Sequence, residues 1–117
     1  MADKEDAEFG KSLAEYENLE KQLEVVLIQK NQLSLQIAEA KNALEELKDA
    51  KGEVYRSVGS LILKTTKEEA EKKLKERLEL MEVKHKAISK EEERLKEAVL
   101  KLQQTLKEKM EKYEKKS

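Results

Sequence analysis

The sequence predicts a mostly α protein, a long antiparallel two-helix coiled coil with one central β-hairpin. Three observations lead there. No proline interrupts the 117 residues, and only three glycines occur. Two segments carry apolar residues spaced alternately three and four apart. Between them lies a short run rich in Val, Leu, Ile, Tyr and Thr, with Gly59-Ser60 at its centre.

The first helix is expected over about 5–51. Stepping from Phe9 by three and four reaches Ser12, Tyr16, Leu19, Leu23, Val26 and on to Lys51 without a stutter. Only Ser12, Lys30 and Lys51 break the apolar seam. A repeat averaging 3.5 residues keeps one stripe facing a partner helix and imposes a left-handed supercoil. Leu13, Val25, Leu27 and Leu35 lie beside the stripe and widen it. Gly52 is expected to end the helix in a left-handed cap.

The second helix is expected over about 67–115. Its seam runs from Leu74 through Leu78, Met81, Ile88, Leu95, Val99, Leu102 and Leu106 to Tyr113, with His85, Glu92 and Lys109 as the polar members. Its start carries a capping-box signature, Thr66 followed by Glu69. Glu68, Glu69 and Glu71 suit the positive end of the helix dipole.

Residues 53–65 change character. Val54-Tyr55-Arg56-Ser57 and Leu61-Ile62-Leu63-Lys64 read as strands, and Gly59-Ser60 as their turn. Folding the chain about Gly59 makes facing seam positions total 117 or 118, so Leu44 meets Leu74, Ile37 meets Met81 and Leu23 meets Leu95. Two seams agreeing on one fold-back point make a single domain spanning 1–117.

Composition fits this reading. Charged residues make up 44% and hydrophobic residues 38%, which is too polar for a compact globule and right for long helices with a narrow seam. Disorder competes at such charge, but the net charge of −1 and the strict periodicity argue against it. Residues 1–51 hold seven Lys against twelve Asp or Glu, while 66–117 hold sixteen Lys or Arg against thirteen Glu. The two halves should attract weakly, and salt would screen this.

Several function classes drop out. Without cysteine there is no disulfide framework and no thiolate metal site. No apolar run is long enough to span a membrane. The acidic start Met1-Ala2-Asp3-Lys4-Glu5-Asp6 is neither a signal nor a transit peptide, so the expected location is cytoplasmic. A pI near 6.0 does not suit a nucleic-acid binder. His85 is the sole histidine and makes no metal site; a structural or pH-sensitive seam role is expected. Lys30 and Glu92 are expected to fix register or to snorkel to solvent. Lys107, Lys109, Lys112, Lys115 and Lys116 form a basic run diluted by Glu108, Glu111 and Glu114, read as a solvated face. Carboxylates are many, but all sit in helical charge patterns such as Glu91-Glu92-Glu93. No phosphate loop, nucleophile constellation or desolvated acid pair is present, so no enzyme and no cofactor is expected.

Two places are expected to bind. A lone two-stranded hairpin is marginal in water, and this one is apolar, with Val54, Tyr55, Val58, Leu61, Ile62 and Leu63 around Gly59. Its open edges invite another chain. It is read as an assembly module rather than a simple cap. At the other end Phe9, Leu13, Tyr16, Leu102, Leu106, Met110 and Tyr113 gather the only Phe and two of the three Tyr. They either close the seam or, where Gly10, Ser12 and Lys109 let it fray, hold an apolar client.

The phrase Val54-Tyr55-Arg56-Ser57-Val58-Gly59-Ser60-Leu61-Ile62, the entry Lys64-Thr65-Thr66-Lys67 and the upstream Ala43-Leu44-Glu45-Glu46-Leu47 resemble the β subunits of archaeal prefoldin, from about Leu13 to about Met110. A single hairpin is the mark of the β class; α-class subunits carry two. The resemblance implies a hexamer of two α-class and four β-class subunits, its hairpins joined in an oligomeric β-barrel. It further implies an ATP-independent chaperone that holds unfolded client proteins and passes them to a group II chaperonin through the ends of the coiled coils. The family's N-terminal segment is often rich in Pro and Gln, whereas this one is acidic and Pro-free. The alternative is a structural coiled-coil spacer or tether without client binding, for which an ordinary turn would serve in place of the apolar hairpin.

Overall fold

The structure is a computed structural model that describes the backbone of residues 2–116 and the side chains of residues 4–114. Met1 and the side chains of Ala2, Asp3, Lys115 and Lys116, invoked above for the chain start and the basic run, lie outside the described residues. In chain order the elements are α1 (Ala2–Asp49), β1 (Val54–Val58), β2 (Leu61–Thr65) and α2 (Lys67–Lys116). Two compact units result, one made of Met1–Gln29 with Ile88–Ser117 and the other of Lys30–Ala87.

In the unit of residues 30–87, seam residues Leu33, Ala40, Leu47 and Met81 are buried. The helix segments run antiparallel: Ser34 lies against His85, and the Lys67 ammonium donates to the Lys48 carbonyl at 2.7 Å. That carbonyl is in the last turn of α1, where helical carbonyls lack partners and the dipole favours a cation. α1 stops at Asp49, three residues before Gly52, with the Ala50 amide bonded back to the Leu47 carbonyl at 3.2 Å. Gly52 takes φ 107°, so the glycine turns the chain toward β1 rather than capping the helix directly. Lys51, expected as the last seam position, lies past the helix.

α2 begins as its cap signature requires. Thr66 Oγ1 accepts from the Glu69 amide at 3.1 Å, and the Thr66 carbonyl from the Ala70 amide at 3.0 Å. β1 and β2 pair antiparallel from Val54↔Thr65 to Val58↔Leu61. Gly59 and Ser60 make the turn, with φ 59° at the glycine and no positive φ at the serine. That is the pattern of a type II′ turn, whose twist matches the strands it joins.

In the unit of residues 2–29 and 88–116, Leu95 is 1% exposed, and Leu106 and Glu92 are also buried. Glu92 carries Lys96 at 3.8 Å on the next turn of α2. The helix segments are again antiparallel, but the register differs from expectation. A total of 117 or 118 would set Phe9 level with Lys109 and Ser12 level with Leu106. Instead Phe9 faces Tyr113 and Ser12 faces Lys109, a slip of about one turn. The cause lies in the repeat. Sliding a seam by one of its own steps still sets apolar against apolar, so periodicity alone cannot choose between the two registers.

Candidate binding surfaces

The hairpin is the first surface. Alternation sends Val54, Arg56, Val58, Leu61, Leu63 and Thr65 to one face and Tyr55, Ser57, Ile62 and Lys64 to the other. Tyr55, Val58, Leu61, Ile62 and Leu63 are all exposed, Ile62 at 73%, while Val54 is half-buried. Apolar groups therefore face solvent on both sides. Among the described residues the sheet has two strands, so each strand keeps one unpaired edge.

Glu53 ties the hairpin's base. Its carboxylate accepts from the Tyr55 hydroxyl and from the Lys64 ammonium, the latter at 3.0 Å. Tyr55 and Lys64 are register partners on one face, so one acid clamps a cross-strand pair. The Tyr55 hydroxyl, then the Lys64 ammonium, hold the Glu53 carboxyl below its ordinary range. The same bond pushes the Tyr55 phenol up. Sequence reading missed this clamp, since Glu53 stands just outside β1 and its partners are defined only once the strands are in register.

The second surface is the tip where the chain ends meet. Phe9 and Tyr113 have ring centroids 6.1 Å apart at a 49° tilt, within the range of favourable aromatic pairs. One turn inward, Lys109 Nζ donates to Ser12 Oγ at 3.4 Å. Gly10 continues the helix. The tip is thus closed rather than frayed, because the polar seam residues bond to each other and the rings pack across. It still leaves a cavity of about 290 Å³ lined by Asp6, Phe9, Met110, Tyr113 and Glu114. Met110 is 53% exposed and Tyr113 42%.

The candidate tip residues separate accordingly. Phe9, Met110 and Tyr113 come together at the cavity. Leu13 is exposed, Tyr16 and Leu102 are half-buried, and Leu106 is in the core. The Tyr16 hydroxyl is bonded to Glu20, which pushes the phenol up. The carboxylates Asp6 and Glu114 were not anticipated. Their signal was available, since Asp6 sits three residues before Phe9 and Glu114 four after Met110, which places each pair on one helix face.

Other chemistry is sparse. Among the described residues no His, Cys, Asp and Glu group could hold a metal ion, and no helix is long and apolar enough to cross a membrane. His85 is half-buried in the seam.

This geometry has known counterparts. The family model for prefoldin subunits matches residues 11–113. The chain is 41% identical over 98 residues to the prefoldin subunit beta of Pyrococcus abyssi, covering 80% of this chain and 82% of that one. It is 40% identical over 85 residues to the prefoldin subunit beta of Methanosarcina acetivorans, covering 71% and 73%. The crystal structure of the prefoldin beta subunit from Thermococcus strain KS-1 superposes with a TM-score of 0.79 at 35% identity, covering 86% of this chain and 90% of that one. With one hairpin between two seamed helices, and with β-subunit relatives among archaea, the chain belongs to the prefoldin chaperone family and to its β class.

Proposed function

We propose that the chain is an ATP-independent holdase subunit. It captures unfolded proteins at the tip, assembles through its hairpin with α-class subunits into a hexamer of two α and four β chains, and delivers its clients to a group II chaperonin in the cytoplasm. The observation that carries the holding role is the tip cavity, where Met110 and Tyr113 are exposed beside the half-buried Phe9. Exposed apolar clusters of this kind mark contact sites, and Met with aromatic rings adapts to varied apolar partners. Assembly is supported by the hairpin's two free edges and its apolar faces. The work is binding, with no bond made or broken. A spacer would need neither feature.

The test is the combined variant Phe9→Ser, Tyr16→Ser, Met110→Ser and Tyr113→Ser, mixed with an α-class subunit. Native mass spectrometry should show the hexamer retained, while suppression of client aggregation is lost. Unchanged suppression would reject the tip as the holding site, and a monomer at equilibrium with the α-class chain would reject the hairpin's role.

A further inference from the structure

We infer that Arg56 selects the strand that joins β1, favouring an apolar strand of a different chain with a carboxylate directly across from it and rejecting a second copy of this chain. The inference rests on the hairpin's role in assembly, as proposed above. Residues 53–65 hold three charged side chains, Glu53, Arg56 and Lys64. Glu53 accepts from Lys64 at 3.0 Å and from the Tyr55 hydroxyl, so the hairpin's one acid is committed on the face that carries Tyr55 and Lys64. Arg56 stands on the other face, exposed, with Val54 and Val58 two residues to either side and Leu63 across the ladder. Among the described residues its guanidinium has no hydrogen bond or ion pair.

Water serves that cation while the strand edge is open. A neighbouring strand removes part of the water, and a guanidinium has five N–H donors and no acceptor, so covering it without a counter-charge is costly. A second copy supplies none. β1 spans Val54–Val58, with Arg56 at its middle, so two β1 strands in full overlap set Arg56 against Arg56. Like charges directly opposite destabilise a sheet. β2 of a second copy in full overlap brings Leu63, as it does within the hairpin. A slip of two residues keeps the faces and brings Val54, Val58, Leu61 or Thr65. None of these is an acid. An Asp or Glu at the facing position of a different chain answers the guanidinium with a charge-assisted pair, bidentate in good geometry. Attraction to that strand and repulsion of its own kind then act at one residue, as they do in specific interfaces generally. Copies of this chain alone are left to associate irregularly.

Sedimentation and native mass spectrometry of the full chain, alone and with an α-class subunit, test this. Arg56→Glu should weaken binding to that subunit at least about tenfold. Arg56→Met, which removes the charge and keeps an unbranched side chain, should also weaken it, yet should strengthen self-association by about threefold. Exchanging the Asp and Glu residues of the partner's strands for Arg, one at a time, should restore the complex with Arg56→Glu at one position, which also shows that the variant folds. Equal binding by Arg56→Glu and the unmodified chain, failure of every exchange to restore it, or unchanged self-association of Arg56→Met overturns the inference, while the hairpin's role in assembly stands. If the unmodified chain does not bind the α-class subunit, both readings fall together.

Discussion

Ser34 and His85 are joined across the helix pair, Oγ to Nε2, at 3.1 Å. The bond lies at the edge of the seam, with Ser34 exposed and His85 half-buried at its seam position beside the buried Leu33 and Met81. A polar seam layer specifies pairing at a cost in stability. His85→Leu should therefore raise the thermal midpoint, by an amount equivalent to about 0.5–1.5 kcal/mol of added apolar burial. Melting followed by circular dichroism measures it, and a lowered midpoint would mean that the Ser34 bond outweighs the burial.

Leu95 is 1% exposed, the most enclosed large side chain described. Leu95→Ala removes its methyl groups and leaves a cavity between two helices. The expected loss is about 2–4 kcal/mol. Urea unfolding should show it, and a change under about 1 kcal/mol would mean that the helix pair collapses around the gap.

Thr66 begins α2 by accepting from the Glu69 amide. Thr66→Ala leaves that amide without its cap and should cost about 1 kcal/mol, while Thr66→Ser keeps the oxygen and most of the stability. Equal losses in the two variants would count against the cap.

The Glu53 clamp makes the hairpin sensitive to acid. Its carboxyl is held below the ordinary value of 4.5 by Tyr55 and Lys64. A depressed folded-state value means that the ionised form favours the folded hairpin, so the contribution is full above about pH 4.5 and fades as pH falls through the lowered value. The protection of the Tyr55 and Lys64 amides, measured by NMR exchange relative to the intrinsic rate at each pH, should fall below that pH in the unmodified chain. Glu53→Gln should exchange faster at neutral pH and lose the acid step. An acid step of the same size in Glu53→Gln would assign it to another group.

Much of this was legible in the sequence because it depends on local pattern. The two seams announce helices, the Val-Leu-Ile-Tyr cluster announces strands, and Gly59-Ser60 announces the turn. Thr66 and Glu69 locate the start of α2 for a local reason as well. What escaped depends on choices between equivalent arrangements or on partners distant in sequence. Phe9 against Tyr113 and Phe9 against Lys109 are both compatible with a 3.5-residue repeat, so the slip at the tip was invisible. The Glu53 clamp needs Tyr55 opposite Lys64. The carboxylates at the tip cavity were in plain view, but matter only because Phe9, Met110 and Tyr113 converge beside them.

The uncovered hairpin also bears on how much of this chain a cell can carry. Ile62, Leu61 and Tyr55 open to water beside two vacant strand edges make a seed for self-association wherever no other subunit covers them. If the proposed assembly holds, production in step with a covering subunit should avoid this, and surplus copies should become substrates for proteolysis. Overexpressed alone, the chain should accumulate as mixed oligomers or insoluble material, and co-expression with a matching subunit should return it to the soluble fraction. Gene dosage would thereby be coupled to ten residues of β-structure.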